Sequence, residues 1–319
     1  MDKNRTLIIC DCKDWAIYSL VKPLKKLGLD ICYHYINTSK GTGIGEKNPV
    51  HLTIDLLRKY EQIHFNTIRA VDVMLRNDEV LEAVKGKRLI MTIHTEREED
   101  LKLLKGKHWQ RIDQFISPTR YQQKKVKEYT GKNAVYIPYA IDEKKYSFIE
   151  DYPRKTNVIG YVGRVTPHKH LKEIMEASSG YSVVGIGYVD DGRSGYWQSI
   201  PRDNLTMYQQ LTEDQKIEQM RNFTLLVSIS EPHIETGPLG VLECAALGIP
   251  ILITDVGWAK DNLASQSARF LDDTNSLEDN ILRFLLRTSL QNILRQNARE
   301  VIDNWTLQDY INAHKEIYG

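Results

Sequence analysis

Cysteine is scarce: Cys10, Cys12, Cys32 and Cys244 are the only four in 319 residues. They form no Cys-x-x-Cys pair and no metal-ligand spacing, which excludes a disulfide scaffold and a zinc module. Cys10 and Cys12 alternate along an apolar run and read as two thiols of one strand. Long apolar runs are also missing. The opening MDKNRTLIIC has no signal-peptide core. The most apolar region, 237–259, is interrupted by Glu243, Gly248, Pro250 and Asp255, so it cannot span a bilayer. Neither sign of charge dominates, with 43 Lys and Arg against 42 Asp and Glu. No internal repeat or low-complexity run occurs. These absences describe a soluble protein of a reducing compartment, expected in the cytoplasm.

Length and composition then allow two ordinary cores of about 150 residues each. Hydrophobic residues at 41% and charged residues at 27% lie near globular averages, which excludes disordered and fibrous classes. The neutral total conceals an asymmetry. Residues 1–150 carry 27 Lys and Arg against 20 Asp and Glu, whereas 151–319 carry 16 against 22. The excess lies in 85–132, where 13 basic residues meet six acidic ones. Such a stretch reads either as a solvated lysine-rich face or as a surface for something anionic.

Apolar segments of strand length alternate with amphipathic segments of helical length. The first half has strands TLIIC (6–10), DICYHYI (30–36), QIHF (62–65), RLIMTI (88–93), QFIS (114–117) and AVYI (134–137). Helical patterns lie between them, including one from 68 to 84, one from about Arg97 and one over 121–129. The polar seam 143–157, EKKYSFIEDYPRKTN, has no period. Beyond it the alternation restarts with VIGYV (158–162), SVVGIG (182–187), LTMY (205–208), FTLLVSI (223–229), IPILIT (249–254) and ARFL (268–271). The last fifty residues read as helical. This is an α/β pattern of two doubly wound, Rossmann-like parallel-sheet domains facing across a cleft. The expected domains are 1–147 and 148–304, with a terminal helix over 305–319 packing back on the first. Ligands of such sheets sit outside the carboxyl ends of the strands.

Two segments carry the chemistry. In SISEPHIETGPLGVLECAALGIPILITD (228–255) a strand ends, a loop carries Glu231, His233, Glu235 and Gly237, and a helix begins. Pro238 suits its first turn and Gly248 the position past its end. The N–H groups near Leu239 and Gly240, with the helix dipole, form a candidate anion site. Glu235 and Glu243 beside it suit hydrogen bonding to the hydroxyls of a sugar or ribose. In VIGYVGRVTPHKHLKEIMEA (158–177) a strand ends at Gly163, followed by Arg164 and, five residues on, Lys169. Two cations there would hold phosphates.

Together these segments resemble the GT-B glycosyltransferases, and within them the large retaining group numbered family 4, glycosyl transferases group 1. The family's two glutamates separated by seven residues stand here as ETGPLGVLE, and its Gly-Arg-x4-Lys element as GRVTPHK. SVVGIG, with Gly185, resembles its glycine-bearing donor loop. Weaker matches are IHF at His64, TIHT at His94, ISPTRYQQKKV and YIPYAID. The resemblance is collinear over about 60–262. It implies that Arg164 and Lys169 hold a nucleotide diphosphate as leaving group, that Glu243 holds the donor ribose, and that Glu235 touches the transferred sugar. It implies that Gly163, Gly185, Gly237, Leu239 and Gly240 line the donor site, and that His94 lies across the cleft near sugar and acceptor. It also implies retention of anomeric configuration with neither cofactor nor bound metal, in keeping with the lack of an Asp-x-Asp pair. CDCKDWAIYS stands where the family has a cleft-lining glycine pair, and GWAKDN where it often has two glycines and a glutamate.

The glycines at 41–47 (GTGIGEK) fail the phosphate-loop spacing, since Gly41 plus five is Glu46 and no Ser or Thr follows Lys47. They read as a loop at the cleft edge. The nine histidines share no metal spacing; His168 and His170 flank Lys169, and His233 is a candidate donor or acceptor contact. Asn-x-Ser/Thr sites such as Asn37 carry no meaning without a secretory signal.

The expected activity is therefore a metal-independent hexosyl- or related glycosyltransferase, using a nucleotide sugar on a glycan, lipid or small-molecule acceptor. Peripheral contact with an anionic surface or membrane runs through 85–132, and a nucleic-acid acceptor is the lesser option. The rival readings are a sugar-nucleotide epimerase or phosphorylase on this fold, and a non-catalytic glycan- or nucleic-acid-binding remnant.

Overall fold

The structure, a computed structural model, describes residues 6–10, 16–33, 54–152, 157–189, 194–272 and 274–319. Cys12, Asn37, the 41–47 loop, the end of the DICYHYI run and part of the 143–157 seam lie outside the described residues. The chain forms two compact units, Met1–Tyr139 with Leu307–Gly319, and Ala140–Thr306.

The first unit is built on β1 (Thr6–Cys10), β2 (Asp30–Tyr33), β3 (Gln62–Phe65), β4 (Arg88–Thr92), β5 (Gln114–Ser117) and β6 (Ala134–Tyr136). They form one parallel sheet in the order β2-β1-β3-β4-β5-β6. Every residue of TLIIC and QIHF is buried, as expected when helices cover both faces of a parallel sheet. Leu7, Ile9, Ile63, Phe65, Met91, Trp109 and Phe115 belong to one core cluster. The helix expected over 68–84 is two, Ile68–Met74 and Asp78–Ala83. Asn77 divides them because its side chain accepts from the N–H groups of Glu79 and Val80, starting a new helix. The stretch from Arg97 is similarly broken into one short α-helical turn and two 3-10 turns.

The terminal helix Leu307–Tyr318 belongs to this first unit. Gln62 donates to the carbonyl of Tyr318 at 2.8 Å. The imidazole of His64 lies 2.7 Å from the Tyr318 hydroxyl through Nδ1 and 2.7 Å from Thr92 Oγ1 through Nε2. His64 is wholly buried, so β3 and β4 carry polar side chains whose hydrogen bonds are completed by the last turn of the chain.

The second unit contains β7 (Val158–Val162), β8 (Ser182–Ile186), β9 (Leu205–Tyr208), β10 (Leu225–Ser228), β11 (Ile251–Ile253) and β12 (Arg269–Phe270). They form a parallel sheet in the order β12-β11-β10-β7-β8-β9. Chain order reverses between β7 and β10, and such sheets bind ligands beyond the carboxyl ends at this switch point. Both chemistry-bearing segments begin there.

The seam is no linker. Ile149 donates its N–H to the Leu247 carbonyl at 3.0 Å, and Phe148 covers Gly248 so closely that a Cβ there would lie 2.2 Å from its ring. Arg295 donates to the carbonyls of Gly248 and Ile149 and lies 4.6 Å from the ring centres of both Phe148 and Tyr152. The aromatics within this polar stretch fasten it to the second unit, so the first unit ends at Tyr139, before the 147 expected from polarity.

Candidate functional site

The site grows from the ends of β7, β8 and β10. Gly163 continues β7 with its N–H bonded to the Ile186 carbonyl at 2.9 Å. Opposite it, Gly187 approaches so closely that a Cβ would sit 1.8 Å from the Gly163 oxygen. Gly185 plays another part. It lies within β8, where the missing side chain makes room for the Met207 sulfur, 2.4 Å from an added Cβ. Gly187, two residues on and just past the end of β8, is the glycine that meets the Gly163 backbone. Gly240 is likewise explained by packing, because a Cβ there would meet Val162 at 2.6 Å as the helix Leu239–Leu247 starts against the end of β7.

Beyond Gly163, Arg164 is exposed and a 3-10 turn Pro167–Lys169 follows. The Lys169 ammonium is ion-paired with the Glu235 carboxylate, joining the two segments. Their side chains are 13% and 15% exposed. Burial alone would raise the Glu235 carboxyl. The adjacent Lys169, with His168 and Arg164 behind it, outweighs that and holds it below the usual carboxylate range. The backbones are coupled too, since Glu231 donates its N–H to the His168 carbonyl at 3.2 Å. Two residues of these loops, His170 (φ 50°) and His233 (φ 58°), adopt the left-handed backbone that non-glycine residues seldom take.

Glu235 is clamped from the far side. Gly257 (φ 53°) lies where a Cβ would come within 2.3 Å of the Glu235 and Thr236 carbonyl oxygens, and Trp258 donates its N–H to Thr236 at 2.6 Å. GWAKDN thus supplies a glycine that lets a second helix press on the Glu235 loop. Pro238 stands at the N-cap, one position ahead of the first helical turn expected for it, and Gly248 closes the helix in the left-handed conformation (φ 71°).

Glu243 is inside this helix and its side chain is 7% exposed. Oε1 accepts from Tyr146 at 3.1 Å and pairs with the Lys216 ammonium. Oε2 is buried with no hydrogen-bond partner among the described residues. Lys216 comes from the helix Glu213–Met220 and Tyr146 from the seam. Neither belonged to the expected site. Lys216 is not evident from sequence because the spacing within a polar helix carries no record of a carboxylate 27 residues away.

His94 belongs to the first unit. Its Nε2–H donates to Asn66 Oδ1 at 3.0 Å and its Nδ1 accepts from the Tyr139 hydroxyl at 2.7 Å, while Asn66 Nδ2 donates to the Ile9 carbonyl at 3.3 Å. Burial first, then His314, pushes its pKa down to about 3. The ring is neutral near pH 7 with both nitrogens engaged, which suits positioning rather than proton transfer. Among the described residues, no cluster of His, Cys, Asp or Glu is placed to hold a metal, and no helix is long and apolar enough to cross a membrane.

The glycosyl transferases group 1 pattern matches residues 142–301, just over half the chain and nearly all of the second unit. The chain belongs to this family. No curated protein sequence matches it. Among solved structures it is similar to HepE from Anabaena in complex with UDP-glucose, at 13% identity, covering 98% of this chain and 99% of that one with a TM-score of 0.79. It is similar to the sucrose-phosphate synthase of Thermosynechococcus elongatus, at 15% identity, 99% and 98% coverage and a TM-score of 0.75. A glycosyltransferase from Rickettsia africae is alike at 14% identity, 100% and 98% coverage and a TM-score of 0.71. These likenesses are of fold, and the fold is GT-B.

Proposed function

We propose that this group 1 glycosyltransferase moves a sugar from a nucleotide-diphosphate sugar to an acceptor hydroxyl with retention of anomeric configuration. The observation that carries the reading is the Lys169–Glu235 ion pair at the switch point of the second sheet. A partly buried pair is a weak contributor to stability, because desolvation offsets most of its attraction. Its position at a ligand-binding edge is better explained by work on a ligand. Lys169 and Arg164 meet the diphosphate, whose charge grows as the bond to the sugar breaks, and the start of the Leu239 helix adds its dipole. In this reading Glu235 contacts the transferred sugar and Glu243 offers an oxygen to the ribose. The departing phosphate oxygen takes the acceptor proton, so no side-chain base and no cofactor or bound metal enters the scheme.

Uridine diphosphate sugars are the first donors to try, because HepE was solved with UDP-glucose. A glycan, lipid or small-molecule hydroxyl is the acceptor. Contact of 85–132 with an anionic surface would rest on Lys102, Lys105 and Lys107, which are exposed. Lys87, Lys127 and Lys132 instead donate to backbone carbonyls. A thermal-shift screen of nucleoside diphosphates and their sugars tests the reading: a ligand at a hundred times its Kd stabilises by about 2.7 kcal/mol. If no nucleotide raises the transition at millimolar concentration, the donor site is misassigned.

A further inference from the structure

Glu243 is held in a way that its place in a helix does not require. In the helix Leu239–Leu247 its neighbours Leu242, Cys244, Ala245 and Ala246 are all buried apolar residues, and nothing in the packing calls for a carboxylate among them. Three residues earlier Gly240 packs on Val162 at the end of β7. Residues three apart share a helical face, so Glu243 stands one turn in from the ligand-binding edge of the second sheet.

Two further segments bring donors to it. At the same edge Gly187 gives its N–H to the carbonyl of Tyr208, the last residue of β9, at 3.0 Å. Gln210 follows in the left-handed conformation (φ 56°), and Thr212 then caps the helix Glu213–Met220. One turn into that helix, Lys216 pairs with Glu243 Oε1. Tyr146 comes from a turn in which the Asp142 carbonyl accepts from the N–H groups of Lys145 and Tyr146 at 3.0 and 3.1 Å. Arg299 donates to the carbonyls of Tyr146 and Ala246 at 3.0 and 2.9 Å, which ties this turn to the helix of Glu243. Burial, then the Glu243 and Glu213 carboxylates, push the Tyr146 phenol up, so it keeps its proton. It donates to Glu243 Oε1 at 3.1 Å, while Glu213 is satisfied by Lys145.

The arrangement is lopsided. Oε1 receives a cation and a hydroxyl, whereas Oε2, also buried, has no hydrogen-bond partner among the described residues. Leaving a buried acceptor unmade is costly, and a lysine present only to neutralise the carboxylate could share its three protons between both oxygens. Two donors converging on one oxygen instead fix the rotation of the carboxylate and leave the other oxygen as an acceptor in one orientation.

We propose that Lys216 and Tyr146 are positioning residues for the donor: by holding Glu243 Oε1 they reserve Oε2 for a ribose hydroxyl of the nucleotide. The proposal rests on the reading of Glu243 as the ribose contact. The chain covering Oε2 has to yield as the nucleotide enters, and the carboxylate then meets the hydroxyl without reorienting.

Isothermal titration calorimetry on the full chain tests it with ADP, GDP, CDP and UDP, and with the 2′-deoxy and 3′-deoxy counterparts of the tightest binder. The ratio of deoxy to ribo Kd reports the hydroxyl contact, because damage to the fold or to the diphosphate site weakens both ligands alike. The unaltered protein is expected to favour the ribonucleotide over one counterpart by about tenfold or more, the size of one hydrogen bond to a charged group, and Glu243→Ala to lose that preference. Lys216→Met and Tyr146→Phe should each cut the preference by about fivefold, as coupling within one hydrogen-bonded network does, and Lys216→Arg should keep it. Tyr146→Phe removes a single oxygen, so it decides the matter where Lys216→Met does not fold. A preference left intact by every folded variant at Lys216 and Tyr146 overturns the proposal while Glu243 keeps its role. Equal affinity for ribo and deoxy ligands, or a preference that survives Glu243→Ala, takes Glu243 off the ribose and the proposal with it, and leaves the diphosphate contacts standing. Absence of binding by every nucleotide overturns the donor site and the proposal together.

Discussion

At Gly187 a methyl group would have nowhere to go, because the obstruction is the Gly163 carbonyl, and backbone moves only with the strand that carries it. At Gly185 the obstruction is the thioether of Met207, which can turn aside. Gly187→Ala should therefore cost about 3 kcal/mol and Gly185→Ala about 1 kcal/mol, the two ends of the overpacking range, read from urea unfolding. The charged residues separate by the stage at which each acts. Lys169→Ala should lower kcat by roughly 10²–10³, as removal of a donor to developing charge does elsewhere. Glu243→Gln, removing an interaction made equally in ground and transition states, should raise the donor KM more than it lowers kcat. Because Lys169 and Glu235 share one ion pair, the double variant should be far less impaired than the product of the single effects. Additive losses would mean that the pair is broken when substrate is bound and that each residue acts alone.

Between residue and molecule stand the elements that bring Glu243 and Lys216 together. Lys216→Met should destabilise by up to about 3 kcal/mol, since it strands a buried carboxylate with only Tyr146 to solvate one oxygen. Chemical unfolding measures this, and a neutral result would mean that water reaches Glu243. The same comparison shows what was legible in the chain. Strands such as TLIIC, QIHF and VIGYV were readable because a parallel sheet buried on both faces writes itself as a short apolar run. That Lys169 and Glu235 fall close together was readable because their segments are strand ends and helix starts, where spacing is local. Asn77 was hidden inside a helical period, since one capping side chain can divide a helix without disturbing its apolar pattern. Gly187 was hidden by its neighbour Gly185, and Gly257 by a segment read only as a departure from the family. Those glycines are explained by another backbone passing close by, which sequence spacing does not record. Tyr146 and Lys216 are likewise long-range partners of a local motif.

The whole molecule distributes its buried histidines unevenly, and this gives it a pH dependence with a definite sign. His64, His94 and His314 all belong to the unit formed by Met1–Tyr139 and Leu307–Gly319. Burial is the foremost cause in each case. It pushes His314 down to about 4, His94 down to about 3, and His64 well below its ordinary value. The unfolded chain titrates them near 6.5, so between that pH and about 4 it binds more protons than the folded unit. Stability is then present in full above about pH 6.5 and is lost as pH falls through the folded values, at about 1.4 kcal/mol per pH unit for each histidine. Glu235 in the second unit, held below its ordinary value, loses its contribution only in the carboxylate range. Acid should thus undermine the first unit before the second. Calorimetry from pH 7 to pH 4.5, with fluorescence of Trp109 in one unit and Trp197 and Trp258 in the other, should show the first unit's transition falling earlier. His314→Phe, which removes one of these protons and one polar group from the interior, should flatten that fall by about one histidine's share. A first unit whose transition keeps its temperature down to pH 4.5 would show that the Tyr318–His64–Thr92 chain accepts a proton without opening, and that the terminal helix is not held by neutral imidazoles.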